Sequence, residues 1–300
     1  MKRFLYILSV SLLTLMSTSC EDIIDVNVDQ KQKKIVVDAF VNNLVTTQQI
    51  KLTESIPYFA APGTEPFISD ATVIIADTSA SNFKIFPFIH KDSGVYEWTP
   101  KPASGDTFQV GRQYALIIIH RGDTLISACK LNPTVSVIDS LRAVPVEGNG
   151  PPFIDSGKYV ELFANDLPGM GNFYWVKTFR NDTFLNDVRN LNISQDMGNN
   201  SNGQDGGLFI YPIRFSGLNQ FLRPYREGEK VRVEVHSITL EAFFWFNLIV
   251  NERNNGGLFA TPPVNIQSNI IALNKNMERG IAGFFCISDV RSAEITVKEF

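Results

Sequence analysis

From Lys34 to Leu131, short runs of β-branched and aromatic residues alternate with clusters of Gly, Pro, Asn and Asp. Runs spaced this closely, with no helical pattern between them, predict antiparallel strands. Seven runs fit this pattern: KIVVDAFV, QIKLTES, ATVIIAD, FKIFPFIH, GVYEWTP, QYALIIIH and DTLISACKL. A Gly-Asp turn in HRGDTL, between two apolar runs, is typical of a β-hairpin. Residues 34–143 are therefore predicted to form an immunoglobulin-like or transthyretin-like antiparallel sandwich.

Residues 144–157, VPVEGNGPPFIDSG, are dense in Gly and Pro and lack periodicity, which predicts a linker. Strand-like segments return after it, so a second, β-rich domain is predicted over residues 158–300. These segments are KYVELFAND, NFYWVKTFRND, GLFIYPIRF, KVRVEVHSIT, GIAGFFCIS and AEITVKEF. The predicted fold class is mainly β.

One segment of the second region has a helical pattern. LEAFFWFNLIVNERNN contains no Gly or Pro, carries Glu241 in its first turn and is followed by two glycines. At about 100° per residue, Asn247, Asn251 and Asn254 share one narrow stripe, and apolar residues cover the rest of the circumference. The sequence therefore predicts one mostly buried helix over about residues 240–255.

The first 20 residues, MKRFLYILSVSLLTLMSTSC, place two basic residues before an apolar run of 13 residues. This run is shorter than the roughly 20 residues of a membrane-spanning helix, so residues 1–19 are predicted to be a signal peptide. A small residue before Cys20 resembles a lipobox, in which the cysteine is acylated, for example with palmitate, and becomes the new N-terminus. We predict that Cys20 anchors the chain to a membrane through two or three acyl chains. The alternative is ordinary secretion, with Cys20 as a spare thiol.

Composition and charge narrow the classes of partner. The formal net charge is −4, charged residues make up 19% and apolar residues 44% of the chain. Because Lys and Arg are scattered and form no basic patch, we expect no nucleic-acid partner. The apolar content indicates a folded chain, and the length that remains after residue 19 suffices for two domains.

Few residues match a catalytic or metal-binding pattern. His90, His120 and His236 lack the short spacings of metal sites, and we interpret them as separate strand-edge histidines. The sequence has no nucleophile elbow and no phosphate-binding loop, which favours a protein that is not an enzyme and uses no cofactor. Cys129 and Cys286 lie in apolar strand-like runs, where they either pair or remain buried free thiols.

The loop DMGNNSNGQDGG offers oxygen ligands to a metal ion from Asp196, Asn200, Asn202 and Asp205. It does not fit the EF-hand pattern, so a solvated loop is the favoured interpretation and a calcium site the alternative.

Two further sets of residues are candidates for binding or structural roles. In TPPVNIQSNI, Asn265 and Asn269 are expected to hydrogen-bond the backbone of an irregular segment, which favours a structural role. Surface aromatic side chains could instead stack on a sugar or a peptide; the candidates are Tyr58, Phe59, Phe67, Tyr211, Phe221 and Tyr225.

Several segments in this order resemble the domain of unknown function 4249 family of Bacteroidota lipoproteins. They are KIVVDAFV, IKLTESIPYF, GVYEWTP, TVSVIDSL, TPPVNIQSNI and GIAGFF, and together they span nearly the whole chain after residue 20. The resemblance implies a β-rich lipoprotein at the cell surface or in the periplasm, often encoded near TonB-dependent outer-membrane transporters. It implies no catalytic residues.

Residues 20–33 are predicted to be a lipid-anchored linker, and its acidic residues Glu21, Asp22 and Asp25 resemble an export tag for the outer face of the outer membrane. The alternative is a solvated linker with no specific signal. The leading functional hypothesis is a surface-exposed, non-enzymatic lipoprotein that captures a ligand for a TonB-dependent transporter. The alternatives are a structural or adhesive surface module and an extracellular hydrolase.

Overall fold

The seven strand-like runs between Lys34 and Leu131 form the greater part of one large sheet. The computed structural model describes residues 33–56, 60–61, 63–64, 66–79, 83–101, 103, 105–148, 155–195, 206–209, 213–220, 223–256, 261–262, 264–274, 277 and 279–298. The runs become β1 (Ile35–Asn42), β2 (Gln48–Glu54), β3 (Thr72–Asp77), β4 (Lys84–Asp92), β5 (Val95–Trp98), β6 (Gln113–His120) and β7 (Asp123–Lys130). All seven predicted strands are confirmed.

The hairpin between β6 and β7 has a two-residue turn. Its central residues are Arg121 and Gly122, with φ of 50° and 84°, and His120 pairs with Asp123. Positive φ at both positions matches the right-handed twist of the flanking strands. The hairpin is confirmed, but the turn consists of Arg-Gly rather than the predicted Gly-Asp.

Two strands from the end of the chain complete this nine-stranded sheet. They are β14 (Ile271–Ala272) and β15 (Ile281–Ser288), and the strand order is β14-β7-β6-β3-β4-β5-β2-β1-β15. β15 pairs with β1 in parallel, whereas the other pairings in the sheet are antiparallel. The sheet is nearly closed, because the backbone amide of Ile287 in β15 donates to Cys129 Sγ in β7 at 3.4 Å.

A second, five-stranded sheet follows along the chain. It has the order β11-β10-β13-β16, with β12 also paired to β10. The strands are β10 (Phe173–Arg180), β11 (Thr183–Phe184), β12 (Asn192–Gln195), β13 (Lys230–Ser237) and β16 (Val290–Thr296). Two more strands, β8 (Ile138–Val146) and β9 (Gly157–Ala164), form a separate antiparallel pair. In the described part of GLFIYPIRF, Leu208 makes an isolated bridge to Asn165 and no strand.

This connectivity differs from the predicted division into two domains at residues 144–157. Residues 144–146 belong to β8, and β9 begins at Gly157. β8 tolerates Pro145 because it has a partner on one side only, where a missing backbone donor costs little. Strands from both predicted domains share the nine-stranded sheet, and residues 32–300 form one compact unit.

Asp289 alone connects β15 of the first sheet to β16 of the second. Its buried carboxylate accepts hydrogen bonds from Asn43 Nδ2 at 2.6 Å and from the Thr134 amide at 3.0 Å. Its backbone amide donates to Ser237 Oγ at 2.9 Å. One residue therefore ties the end of β13 and the end of β1 to the joint between the sheets.

The single α-helix among the described residues, α1, spans Leu240–Asn254, close to the predicted range. Thr239 caps it, because its hydroxyl accepts from the Ala242 amide at 3.2 Å. The expectation that α1 is mostly buried is wrong: Ala242 and Phe246 are its buried residues, and Phe244 is 56% exposed. Within the described residues, no helix combines the length and the apolar character needed to cross a lipid bilayer.

Two hydrophobic clusters stabilise this arrangement. The larger fills the interior of the nine-stranded sheet with alternate residues of its strands, such as Val37 and Leu52, and reaches Phe246 of α1. The smaller lies between the β8–β9 pair and the second sheet, where Val160 and Leu162 meet Val233 and Val235. The mainly β fold class is confirmed.

Candidate ligand-binding cleft

Several predicted site residues lie outside the described part of the chain. They are Cys20, the calcium candidates Asp196, Asn200, Asn202 and Asp205, and the aromatic residues Tyr58, Phe59, Tyr211 and Phe221. Of the other aromatic candidates, Phe67 is exposed, whereas Tyr225 is buried and donates its hydroxyl proton to the Leu218 carbonyl at 2.6 Å. Tyr225 is therefore a core residue and not a surface platform.

The irregular segment after α1 behaves as predicted at Asn269. The Asn269 side chain donates to the Phe285 carbonyl at 2.8 Å and accepts from the Phe285 amide at 2.9 Å. It thus acts as a substitute strand partner for β15. Asn265 instead accepts from Lys34 Nζ at 3.0 Å.

The three histidines have separate surroundings. His90 is exposed beside Tyr96, with 5.2 Å between ring centroids. His120 and His236 are buried, which corrects their interpretation as strand-edge residues. His120 Nε2 lies 3.1 Å from Asp70, and burial lowers its pKa although the Asp70 charge opposes this. Among the described residues, no three His, Cys, Asp or Glu side chains converge as metal ligands would.

A different set of residues forms a cleft of about 470 Å³, which we call the aromatic cleft. Strand β1 forms one wall, α1 a second, and the segment 184–191 a third, with Trp175 of β10 between them. The volume lies within the range of about 300–1,000 Å³ that is typical of small-molecule sites. The side chains that line it are mainly apolar.

Phe40 is the centre of the aromatic wall. Its ring centroid lies 5.4 Å from that of Trp175, 5.8 Å from that of Trp245 and 5.2 Å from that of Phe246. Trp175 and Phe246 are themselves 4.6 Å apart. These separations are in the range of favourable edge-to-face and offset ring contacts, so the four rings pack into one continuous aromatic wall.

Gly283 lets β15 approach β1 closely beside this wall. Its φ is 95°, and a Cβ built on it would lie 1.9 Å from the Val37 carbonyl oxygen. Because real Cβ atoms do not approach a backbone oxygen so closely, a side chain at this position would push the two strands apart. Gly283 also lines the aromatic cleft.

Asp38 is the acidic residue that β1 contributes to the cleft. It lies between Val36 and Phe40 on the outer face of the strand. The residue is exposed, although protein atoms surround much of its carboxyl group. Desolvation raises its pKa, against the opposing charges of Lys177 and Lys51. A ligand with a positive charge or hydrogen-bond donors would stabilise this carboxylate in place of the water that burial removes.

A row of charged side chains lies on the same face of the second sheet as Trp175. Lys177 Nζ is 4.0 Å from the Trp175 ring centroid, a cation–π contact. Burial lowers the pKa of Lys177 to about 8, although Glu234 and Asp38 favour its charged form. Glu234 also contacts Arg232. Lys177 and Arg232 therefore neutralise carboxylates that face the space between the sheets.

His236 ends this row. Its Nε2 lies 3.0 Å from Glu234 Oε2, and its side chain is 2% exposed. Burial, reinforced by the charge of Lys177, lowers the pKa of His236 to about 4. At neutral pH the imidazole is therefore uncharged and donates its Nε2 proton to Glu234. Burial opposes ionisation of Glu234, but the His236 hydrogen bond and the nearby cations lower its pKa overall.

The sequence contained a signal for the cleft. Inward and outward positions alternate along KIVVDAFV, and Asp38 is its one charged residue between buried positions. A charged side chain at such a position indicates that the outward face of this strand is more than a plain apolar surface. Trp175 and Lys177 alternate in the same way in NFYWVKTF. No local pattern, however, indicated that these faces of two different sheets lie together.

The fold defines a mainly β protein with a nine-stranded, nearly closed sheet, one described α-helix and a cleft at its outer face. The chain belongs to the family described as Domain of unknown function (DUF4249), whose profile matches residues 21–294. The chain is also similar to the uncharacterized protein ycf80 of Guillardia theta, with 30% identity over 142 residues. That match covers 47% of this chain and 45% of the relative, so the chain spans less than half of the relative's length.

Proposed function

We propose that this protein is a lipid-anchored, non-enzymatic protein of the outer-membrane surface that captures a ligand and passes it to a TonB-dependent transporter. The observation that carries the capture role is the aromatic cleft, which combines two Trp side chains with Asp38. The predicted signal peptide and lipobox support the anchor at Cys20, and the family resemblance supports the transporter as partner.

The cleft favours a compact ligand with a flat or aliphatic body and a cationic or hydrogen-bond-donating group. Stacking on Trp175 and Trp245 would contribute most of the affinity, because aromatic side chains bury large apolar areas in defined geometries. The donor group would lie against Asp38. A ligand that is anionic throughout would be repelled by this carboxylate.

Ligand capture is tested with a Cys20→Ser variant, which cannot be acylated and needs no detergent. The probe is N-phenyl-1-naphthylamine, in which a naphthyl and a phenyl group are joined by one N–H donor. We expect saturable binding, followed through its fluorescence and through quenching of the two cleft Trp residues. Trp245→Ala should weaken binding about tenfold, since truncation of a central aromatic contact typically costs 1–2 kcal/mol or more.

The matched control is Phe83→Ala, which removes an exposed aromatic side chain that does not line the cleft. This control should change the affinity less than twofold. Equal affinities for the unchanged protein and the Trp245→Ala variant would place the bound probe elsewhere and refute the capture role of the cleft.

The transporter is tested on the native lipoprotein. Gentle detergent extraction and affinity capture should recover an outer-membrane transporter together with the protein. A capture that contains no transporter, combined with unimpaired growth of a deletion strain on all tested substrates, would contradict the proposed role.

A structural or adhesive surface module is the second candidate, and one surface favours it. Ile271, Ile126, Ile117, Ile74 and Pro87 stand in register across β14, β7, β6, β3 and β4. On this outward face Ile271 is 59% exposed and Ile89 of β4 is 67% exposed, whereas Ile74, Ile117 and Ile126 are half-buried. An apolar face of this kind suits contact with another macromolecule. This candidate predicts binding to a host or matrix polymer without any transporter contact.

A further inference from the structure

Cys129 and Cys286 meet where the nine-stranded sheet nearly closes. Cys129 lies in β7 and Cys286 in β15, strands that are not neighbours in the sheet order but lie in contact. The Ile287 amide donates to Cys129 Sγ at 3.4 Å across 158 residues of sequence. Both cysteines are buried free thiols in the structure, and Cys286 directly precedes Ile287, so its side chain lies next to this contact. Each cysteine is thus held beside the other by the fold itself.

The surroundings leave each of these thiols one sulfur partner. Both side chains are buried in the larger hydrophobic cluster. The chain has three cysteines, and the third, Cys20, is the predicted site of acylation. Buried thiols of this kind do not react with partners in solution after folding, so any oxidation must join these two to each other during folding.

We propose that Cys129 and Cys286 form an intramolecular disulfide bond in the exported protein. Each thiol loses its proton and the pair loses two electrons as the sulfur–sulfur bond forms. The acceptor is a protein or small-molecule disulfide, which takes up two electrons and two protons and becomes two thiols. The proposal rests on export to an oxidising compartment and is independent of ligand capture.

The bond would hold one wall of the aromatic cleft in place. Phe284 and Gly283 precede Cys286 in β15; the Phe284 ring lies 6.1 Å from that of Phe40, and Gly283 lines the cleft. Joining β15 to β7 removes the freedom of β15 to separate from the closed end of the sheet. The cleft would thus be shaped before a ligand arrives, which lowers the entropic cost of binding.

The test uses the full-length protein, exported with its own leader and extracted from the membrane in mild detergent. Free thiols are blocked with N-ethylmaleimide in urea, so that buried thiols are reached. Digestion without reductant, followed by mass spectrometry, should show one linked pair of peptides that contains Cys129 and Cys286. Recovery of both cysteines carrying N-ethylmaleimide would overturn the proposal.

Reductant and matched variants add readouts that do not depend on the cleft. Dithiothreitol should reduce the bond in urea but not in the native protein, because both sulfur atoms are buried. Cys129→Ser and Cys286→Ser should each abolish the linked pair and leave one thiol for the blocking reagent; a linked pair that persists in either would contradict the assignment. Peptide mapping of the unchanged protein decides the question even if a variant does not fold.

Discussion

His236 should make the stability of this protein fall as the pH drops from about 6.5 to about 4. In the folded protein burial and the charge of Lys177 lower its pKa from an ordinary 6.5 to about 4. In the unfolded chain the imidazole titrates normally. Between these two values the unfolded state binds more protons than the folded state, so acidification favours unfolding.

The size of the effect follows from the shift. One unit of pKa corresponds to about 1.4 kcal/mol, so a group that titrates near 4 instead of 6.5 removes about 3 kcal/mol of unfolding free energy across that interval. The loss is complete below pH 4 and absent above pH 6.5. Lys177 and Arg232 disfavour the imidazolium, and Glu234, at 3.0 Å, is the group that favours it.

The assay is urea unfolding, followed by Trp fluorescence at a series of pH values between 7 and 4.5. The perturbation is His236→Gln, whose amide can still donate to Glu234 but cannot take up a proton. The dependence of unfolding free energy on pH should decrease by up to about 1.4 kcal/mol per pH unit relative to the unchanged protein. The buried His120 contributes in both proteins and therefore cancels in the comparison. Glu234 depends in part on His236, but its pKa is lowered from 4.5, so its contribution changes chiefly below the pH range of the assay.

The control is His90→Gln, which changes an exposed histidine and should leave the pH dependence as it is. If His236→Gln and the unchanged protein show parallel pH dependence between pH 6 and 4.5, His236 titrates normally in the folded state. The explanation from burial would then be refuted.

Three further substitutions test the fold, each through the midpoint of urea unfolding. Gly283→Ala should cost about 3 kcal/mol or more, because its Cβ would meet a backbone oxygen at 1.9 Å. The control Gly105→Ala, with positive φ but open space around it, should cost about 1 kcal/mol. Equal costs would contradict the close approach of the strands. Asn219→Ala should cost about 3 kcal/mol, since the buried amide makes three hydrogen bonds of 2.8–2.9 Å to backbone groups, and a loss below 0.5 kcal/mol would show that water replaces them. Arg180→Lys should cost about 2 kcal/mol, because lysine cannot reproduce the bidentate contact of the buried guanidinium with Glu229. An unchanged midpoint would show that this bidentate geometry contributes nothing to stability.

Local features of the fold could be predicted well from the sequence. The first seven strands follow from short alternating runs and turn residues, and α1 follows from an uninterrupted segment with an acidic residue in its first turn and glycines after it. Its burial could not be predicted, because apolar residues cover nearly the whole circumference and do not indicate which side packs. Phe244 is exposed, whereas Phe246, two residues later and on the opposite side of the helix, is buried.

The long-range features could not be predicted, because no local pattern encodes them. β15 pairs in parallel with β1 across almost the whole chain, and this pairing turns two predicted domains into one connected unit. The aromatic cleft draws on β1, on β10 with the adjoining segment 184–191, and on α1, three stretches that are far apart in sequence. Asp38 and Trp175 each stood out in a strand pattern, but only the folded chain places them at one site.

The joint at Asp289 has a consequence for the order in which the chain can fold. The two strands on either side of it enter different sheets, so each sheet lacks a strand until residues 281–296 have been made. Non-local pairing of this kind is slow to form. A growing chain therefore remains without its final tertiary structure until both of these strands have been synthesised.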